Sequence, residues 1–516
     1  MELYLTGHQY RYAVEQIMMV LFPGQKPVYP DAPQADGGDA CWSALRLEGN
    51  TAAAETRLRV EGQETTGTAT AAVPAGADTL ERDRLLQRAV KQSFYRAALP
   101  ILGEAPPWGA LTGIRPAKLA SRALESGLTE QQTREQFYRE YFVSESRTEL
   151  ALEAAKAGLR AKSSLRPDEI SLYVGIPFCP TRCAYCSFVS ADVKQALRLV
   201  EPFLEALHRE IDAVAALLDE AGLYVRTIYM GGGTPTTLSA GQMDRLLTHL
   251  RGAFDLSRLT EFTVEAGRPD TITAEKMAVL REHGVGRVSV NPQTMEDHVL
   301  RAMGRAHTAA DILRAYQTVR EAGIPSVNMD LIAGLPKDTP EGFRGTLEQV
   351  IGLAPENITV HALALKKGSR LKMEQQGLPT GEETHAMLDY AWPRLWQAGY
   401  APYYLYRQKY MTGALENIGW CKPGEEGLYN ICIMEELHTI VALGPAAPPS
   451  SPTPPREKSS ASQTPSTPGS TSTASTPSAG TSGRWWSSTG GWGRGSSKLT
   501  EPFFRLIHRI CTDANF

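Results

Sequence analysis

From Glu169 onward, apolar and β-branched residues gather in six short runs: ISLYVGI, VRTIYMGG, EFTVEAG, GRVSVNPQT, SVNMDLIAGL and ITVHALAL. Each has the length of a strand. Between the earlier runs the apolar positions recur at helical spacing. In LVEPFLEALHREIDAVAALL they are Val200, Phe203, Leu204, Leu207, Ile211, Val214 and Leu218, one face of an amphipathic helix. Strand, helix and strand in alternation predict parallel strands joined by crossover helices. Six such units predict an α/β fold, an open or partial (β/α)6 barrel over residues 166–375 rather than a closed eightfold one. Ligands in such folds sit at the C-terminal strand ends.

The flanking regions follow other rhythms. Residues 1–165 predict an α+β domain of unassigned role. ACWSALRLEG and ETRLRVEG read as short strands, and a helical pattern starts near Thr79. WGALTGIRPAKLA interrupts that pattern with Gly109, Gly113 and Pro116. Residues 376–443 predict a helical segment covering the barrel mouth, with GLYNICIMEELHTIVALG read as the start of a packed helix. After Leu443 large apolar residues almost vanish, so residues 444–516 predict a disordered low-complexity tail. Two origins fit so abrupt a switch: a natural tail, or a shifted reading frame.

Composition narrows the class. With 516 residues, 42% of them hydrophobic, the chain can bury more than one core. A net charge of -4 excludes a general binder of nucleic acid. The N-terminal stretch MELYLTGHQYRYAVEQIMMVLF lacks the order of a signal peptide, and no run reaches the ~18–20 apolar residues of a membrane span. A soluble, cytoplasmic protein is expected. Of seven cysteines, Cys41, Cys421, Cys432 and Cys511 are scattered, which is no disulfide framework.

The remaining three, Cys179, Cys183 and Cys186, stand together in GIPFCPTRCAYCSF, directly after the first of the six runs. A tetrahedral zinc needs a fourth ligand, which the loop does not supply, and His208 on the next helix fits a packing or solvated face better. A four-iron cluster can be held by three thiolates with one iron left open to a small molecule. Downstream, YMGGGTPT places Gly231, Gly232, Gly233 and Thr234 at the end of the second run. Glycines there allow close approach to a ligand and leave N–H groups free. Glu265, Gln293 and Asp330 mark the third, fourth and fifth runs. Polar groups amid apolar strands are costly unless paired, and one shared ligand accounts for all three.

Cys-x3-Cys-x2-Cys after a strand, with an aromatic residue before the last cysteine, resembles the radical S-adenosylmethionine (SAM) enzymes. Over residues 168–375 the chain resembles the coproporphyrinogen dehydrogenase group, the oxygen-independent coproporphyrinogen III oxidases. WGALTGIRPAKL, VSVNPQTM, YLYRQKYM and ENIGWCKPGEEGLYNI look like its HemZ-type branch.

The resemblance implies that Cys179, Cys183 and Cys186 hold a 4Fe–4S cluster. It implies SAM contacts from Tyr173, Tyr185, Gly232, Gly233, Thr234, Glu265, Gln293, Arg305 and Asp330, and a backbone contact from Ala364. It implies oxidative decarboxylation of coproporphyrinogen III propionates to vinyl groups, giving protoporphyrinogen IX, started by a 5′-deoxyadenosyl radical. An electron donor such as ferredoxin or flavodoxin, and a monomeric chain, belong to the same picture. A substrate with four carboxylates calls for basic residues. Arg407, lying among Tyr403, Tyr404 and Tyr406, is the first candidate, with Lys409, Arg370, Arg115 and Lys118 behind it. The best-understood enzymes of the group carry another cysteine two residues after the third, where this chain has Phe188. That lack resembles the HemW-type haem chaperones. A haem-binding chaperone, or a radical SAM enzyme acting on another tetrapyrrole, are therefore the alternatives.

Overall fold

The computed structural model describes residues 1–30, 38–186, 191–364, 377–407 and 415–445. The expected tail beyond residue 445 lies outside them, as do Phe188, Arg370 and Lys409.

The chain opens with β1 (Glu2–Thr6), α1 (Arg11–Leu21), β2 (Ala40–Glu48), β3 (Thr51–Val60) and β4 (Gln63–Ala72). These strands form a sheet in sequence order, β1 parallel to β2 and the rest antiparallel. Burial alternates along β3 and β4, so one face is covered. Helix α2 (Thr79–Leu102), capped by Asp78 accepting from the Glu81 N–H, supplies much of that cover. Met18, Leu58, Phe94 and their neighbours make a core of their own.

Helices α3 (Pro116–Glu125), α4 (Glu130–Tyr141) and α5 (Glu145–Ser164) follow. Although they precede the expected boundary at residue 165, their buried residues, among them Ala117, Phe137 and Leu150, belong to the larger core formed with the second sheet.

That sheet begins at β5 (Glu169–Ile176). A short parallel pair, β6 (Phe178–Cys179) and β7 (Ala191–Asp192), brackets the cysteine loop, followed by the turn α6 (Val193–Ala196). The chain then runs α7 (Val200–Ala221), β8 (Tyr224–Gly232), α8 (Ala240–Ala253), β9 (Glu261–Glu265), α9 (Ala274–Glu282) and β10 (Arg287–Ser289). It continues through α10 (Asp297–Ala302), α11 (Ala309–Glu321), β11 (Ser326–Ala333), α12 (Pro340–Leu353) and β12 (Asn357–Ala362). The six predicted strands are all present, adjacent in sequence order and parallel. Capping boxes at Ser239 and Thr308 start two of the crossover helices.

The segment after the sixth strand is only partly helical. Helix α13 (Gly381–Gln397) leads into β13 (Ala401–Arg407) and β14 (Glu416–Cys421), which extend the sheet antiparallel beyond β12. The stretch read as one continuous helix divides in two. Helix α14 (Leu428–Glu435) stops where Glu436 takes a left-handed φ of 53°, and β15 (Ile440–Leu443) then pairs parallel with β5 on the opposite edge. Two β-branched residues, Ile440 and Val441, together with an open strand edge, outweigh the helical pattern there. The described sheet thus has nine strands, in the order β13-β14-β12-β11-β10-β9-β8-β5-β15.

Candidate functional site

The C-terminal ends of the six parallel strands converge on the cysteine loop. Cys179, Cys183 and Cys186 are each partly exposed, unlike Cys41, Cys421 and Cys432, which are buried and whose thiols burial pushes upward. The loop is tied from three sides. Thr234 Oγ1 lies 3.5 Å from Cys179 Sγ, the Ala184 N–H donates to the Met303 carbonyl, and Arg268 donates to Thr181 and to Cys183 Sγ. Among the described residues no three His, Cys, Asp or Glu side chains converge on a single ion. Three thiols from one loop suit a cluster, whose iron corners each take one thiolate. His208 is occupied elsewhere, its Nδ1 2.5 Å from His249 Nδ1 on α8.

The glycines at the end of β8 do more for the loop than for a ligand. A Cβ at Gly233 would stand 2.5 Å from the Phe178 carbonyl oxygen, and one at Gly231 would stand 2.9 Å from Glu265 Oε2. Gly232 takes a φ of 105°, which a side chain rarely tolerates. The expected free N–H groups are not free: Gly233 donates to Ile176 and Thr234 to Phe178, at 2.8 and 2.7 Å. Glycine is required because β8 must close onto the segment leading into Cys179.

Beside the glycines, Glu265 ends β9 with its Oε1 accepting from the Tyr229 hydroxyl at 2.5 Å. Burial pushes this carboxyl up to about 7, the nearby Asp330 adding to the shift while Tyr229 and the Gly232 N–H offset part of it. Tyr229 stacks on Tyr429 at 4.5 Å, and Tyr173 lies 6.3 Å from Tyr229 and 6.5 Å from Tyr429. Tyr429 comes from α14, far along the sequence and outside the six-strand pattern, so no local spacing points to it.

Gln293 is buried and takes a left-handed φ of 68°. Such strain persists where the surroundings enforce it. Here the Gln293 N–H donates to Asp330 and its carbonyl accepts from Ile332, pinning it to β11. Asp330 in turn accepts from Asn328 Nδ2 at 2.8 Å and faces His361 Nε2 at 3.9 Å. Ala364 follows β12, partly buried against the main core. Arg305 is buried, donating to the Asn291 carbonyl and to the Tyr185 hydroxyl, both at 2.8 Å. Burial opposes its charge, but Tyr185 and Cys183 beside it hold the guanidinium protonated.

The structure therefore brings Tyr173, Tyr185, Gly232, Gly233, Thr234, Glu265, Gln293, Arg305 and Asp330 to one end of the sheet around the three cysteines. The substrate candidates within the described residues have other partners. Arg407 is buried, donates from its backbone to Ile114 and from Nη1 to the Leu111 carbonyl, and lies 5.3 Å from the Trp108 ring. Tyr406 stacks on Tyr404 at 6.4 Å, while Tyr403 and Tyr404 pack edge to face in a small buried cluster. Arg115 and Lys118 both pair with Glu436. Arg268, which the sequence patterns do not single out, is a basic group that reaches the cysteine loop, as Arg305 also does.

Three thiols around one loop, a glycine strand closed against it and polar strand ends beside it fit a cluster with a chelating small molecule. Residues 173–350 match the radical SAM superfamily. The oxygen-independent coproporphyrinogen-III oxidase-like protein HemZ of Bacillus subtilis (strain 168) is 42% identical over 381 residues, 72% of this chain and 75% of that protein. The heme chaperone HemW of the same organism is 35% identical over 197 residues, and that match spans 38% of this chain and about half, 51%, of HemW. Among solved structures, coproporphyrinogen III oxidase HemN from Escherichia coli aligns over 56% of this chain and 66% of its own, with 27% identity and a TM-score of 0.45. No helix among the described residues is long and apolar enough to cross a membrane. Radical SAM proteins use a 4Fe–4S cluster and S-adenosylmethionine. This chain belongs to the radical SAM superfamily, within the family that joins HemZ, HemN and HemW.

Proposed function

We propose that the chain is a radical SAM enzyme of tetrapyrrole synthesis that converts coproporphyrinogen III propionates to vinyl groups. The observation that carries this reading is the 42% identity to HemZ over 72% of the chain, extending well beyond the radical SAM region itself.

Cys179, Cys183 and Cys186 would hold the 4Fe–4S cluster. When bound, the cluster and SAM would supply a 5′-deoxyadenosyl radical able to take a hydrogen from a propionate, with CO2 then leaving and one electron passing to an external acceptor as the vinyl group forms. The protein's own residues position the cofactors. The glycine strand and Thr234 fix the loop through Ile176, Phe178 and Cys179. Glu265, Gln293 and Asp330 offer polar groups to the SAM amino acid and ribose, and Arg305 sets the tilt of the Tyr185 ring through its hydroxyl. Tyr173 and Tyr429 form an aromatic wall beside Glu265. Gln293, Arg305 and Tyr429 are buried, which limits water near the reacting atoms. Arg407 has no substrate role in this scheme: it anchors β13 to the segment around Trp108.

A haem chaperone is the second reading, favoured by the identity to HemW and by Phe188 where a further cysteine would stand. The test is anaerobic incubation of reconstituted full-length protein with SAM, a strong reductant and coproporphyrinogen III. Protoporphyrinogen formed together with matching 5′-deoxyadenosine, and lost in Cys183→Ala, is the expected result. Haem binding without any SAM cleavage by cluster-loaded protein would instead establish the chaperone.

A further inference from the structure

Arg268 stands just past the end of β9 and is almost wholly buried, with 3% of its surface exposed. A cation is placed so deep only if its donors are used. They are shared between two sides. Toward the protein, Nε and Nη2 grip the two oxygens of Asp270 at 3.1 and 3.2 Å. Toward the cysteine loop, Nη1 donates to the Thr181 carbonyl at 3.2 Å, to the Thr181 hydroxyl at 3.1 Å and to Cys183 Sγ at 3.8 Å.

Asp270 is itself braced. Burial works against its charge, yet His307 and Arg268 hold its carboxyl down to about 2. His307, with Nδ1 3.8 Å from Asp270 Oδ1, is buried two residues after Arg305. The chain His307–Asp270–Arg268–Cys183 therefore runs inward from a surface cleft lined by Asp270, His307, Asp311 and Arg314 to one thiol of the loop.

We infer that Arg268 is a positioning residue that fixes the loop at Thr181 and, by presenting a charged donor to the Cys183 sulfur, raises the reduction potential of the cluster. Donors and positive charge at a ligating sulfur favour the reduced, more negative form of an iron–sulfur centre. Arg305 is a second cation that acts on the Cys183 sulfur, while it also donates to Asn291 and Tyr185. The bidentate grip on Asp270 explains why the position holds arginine rather than lysine: only a planar fork can hold a carboxylate and reach the loop at once. The inference rests on the cluster being held by Cys179, Cys183 and Cys186.

The test compares full-length wild-type protein with Arg268→Gln and Arg268→Lys, each reconstituted anaerobically. Iron content is measured first, then the midpoint potential by a redox titration followed by electron paramagnetic resonance. Wild-type protein that takes up no cluster refutes the proposed function itself. With the cluster in place, a more negative midpoint is expected in Arg268→Gln and a smaller shift of the same sign in Arg268→Lys. A purely structural role lowers iron content without moving the potential of the cluster that remains. An unchanged midpoint in Arg268→Gln overturns the inference. If that variant holds no cluster, Arg268→Lys decides in the same way.

Discussion

Glu265 illustrates how much a single residue's setting determines. Its carboxyl has a usual value of 4.5 and is pushed up to about 7, chiefly by burial. The folded state then binds the proton more tightly than the unfolded one. Stability from this group is complete below about pH 4.5 and falls as pH rises through about 7, by up to roughly 3 kcal/mol. Denaturant unfolding of cluster-free protein at pH 5 and pH 8 checks it. Glu265→Gln is expected to lose less stability across that interval than wild type, and an equal loss in both would remove Glu265 as the cause.

Single residues were legible in the sequence where chemistry is unusual at a strand end. The three cysteines, Glu265, Gln293 and Asp330 were visible for that reason. Arg268 was not, because an arginine in a loop after a strand looks like any surface charge until its burial is known. Arg407 shows the converse: a cation among tyrosines reads as a ligand site, and the contacts that bury it include Leu111 and Ile114, some three hundred residues away in the chain.

At the scale of elements, the closure of β8 onto the start of the cysteine loop is the decisive contact. In Gly233→Ala the new Cβ meets two backbone oxygens, of Phe178 at 2.5 Å and Ile176 at 2.9 Å, and neither can swing away as a side chain would. The strand must shift, breaking the bonds that Gly233 and Thr234 donate. A loss of ~1–3 kcal/mol is expected, with iron uptake reduced several-fold in a reconstitution assay. Gly241→Ala is the control: its Cβ meets nothing in α8, and stability should hold or rise slightly.

The six parallel strands were readable because their period and their alternation with helices are local properties. Helix α14 and strand β15 were not separable by pattern. Their boundary depends on Glu436 turning left-handed, with Arg115 and Lys118 gripping its carboxylate, and on an edge of β5 left open to be paired. Both are supplied by distant segments.

Across the whole molecule, one buried carboxylate joins the N-terminal segment to the far edge of the main sheet. Glu416 on β14 is fully buried, accepting from Trp108 Nε1 at 2.6 Å and Trp392 Nε1 at 2.8 Å, with Arg147 Nε at 2.9 Å. Arg147 also reaches Asp389. Removing one partner of a buried ion pair leaves the other uncompensated, so Arg147→Met is expected to cost ~3–5 kcal/mol. Calorimetry or denaturant unfolding measures this, and a loss below about 1 kcal/mol would show that the two indole donors suffice to hold the carboxylate. This junction was invisible in sequence, since Trp108, Arg147, Trp392 and Glu416 share no spacing.

The central claim is that Cys179, Cys183 and Cys186 carry a cluster with one iron open to SAM. Reductive cleavage of SAM by full-length reconstituted protein, read as 5′-deoxyadenosine and methionine, tests it most directly. The account predicts both products from wild type carrying about four irons per chain, and neither from Cys183→Ala. Protein that carries those irons, is reduced and yet leaves SAM intact would contradict it.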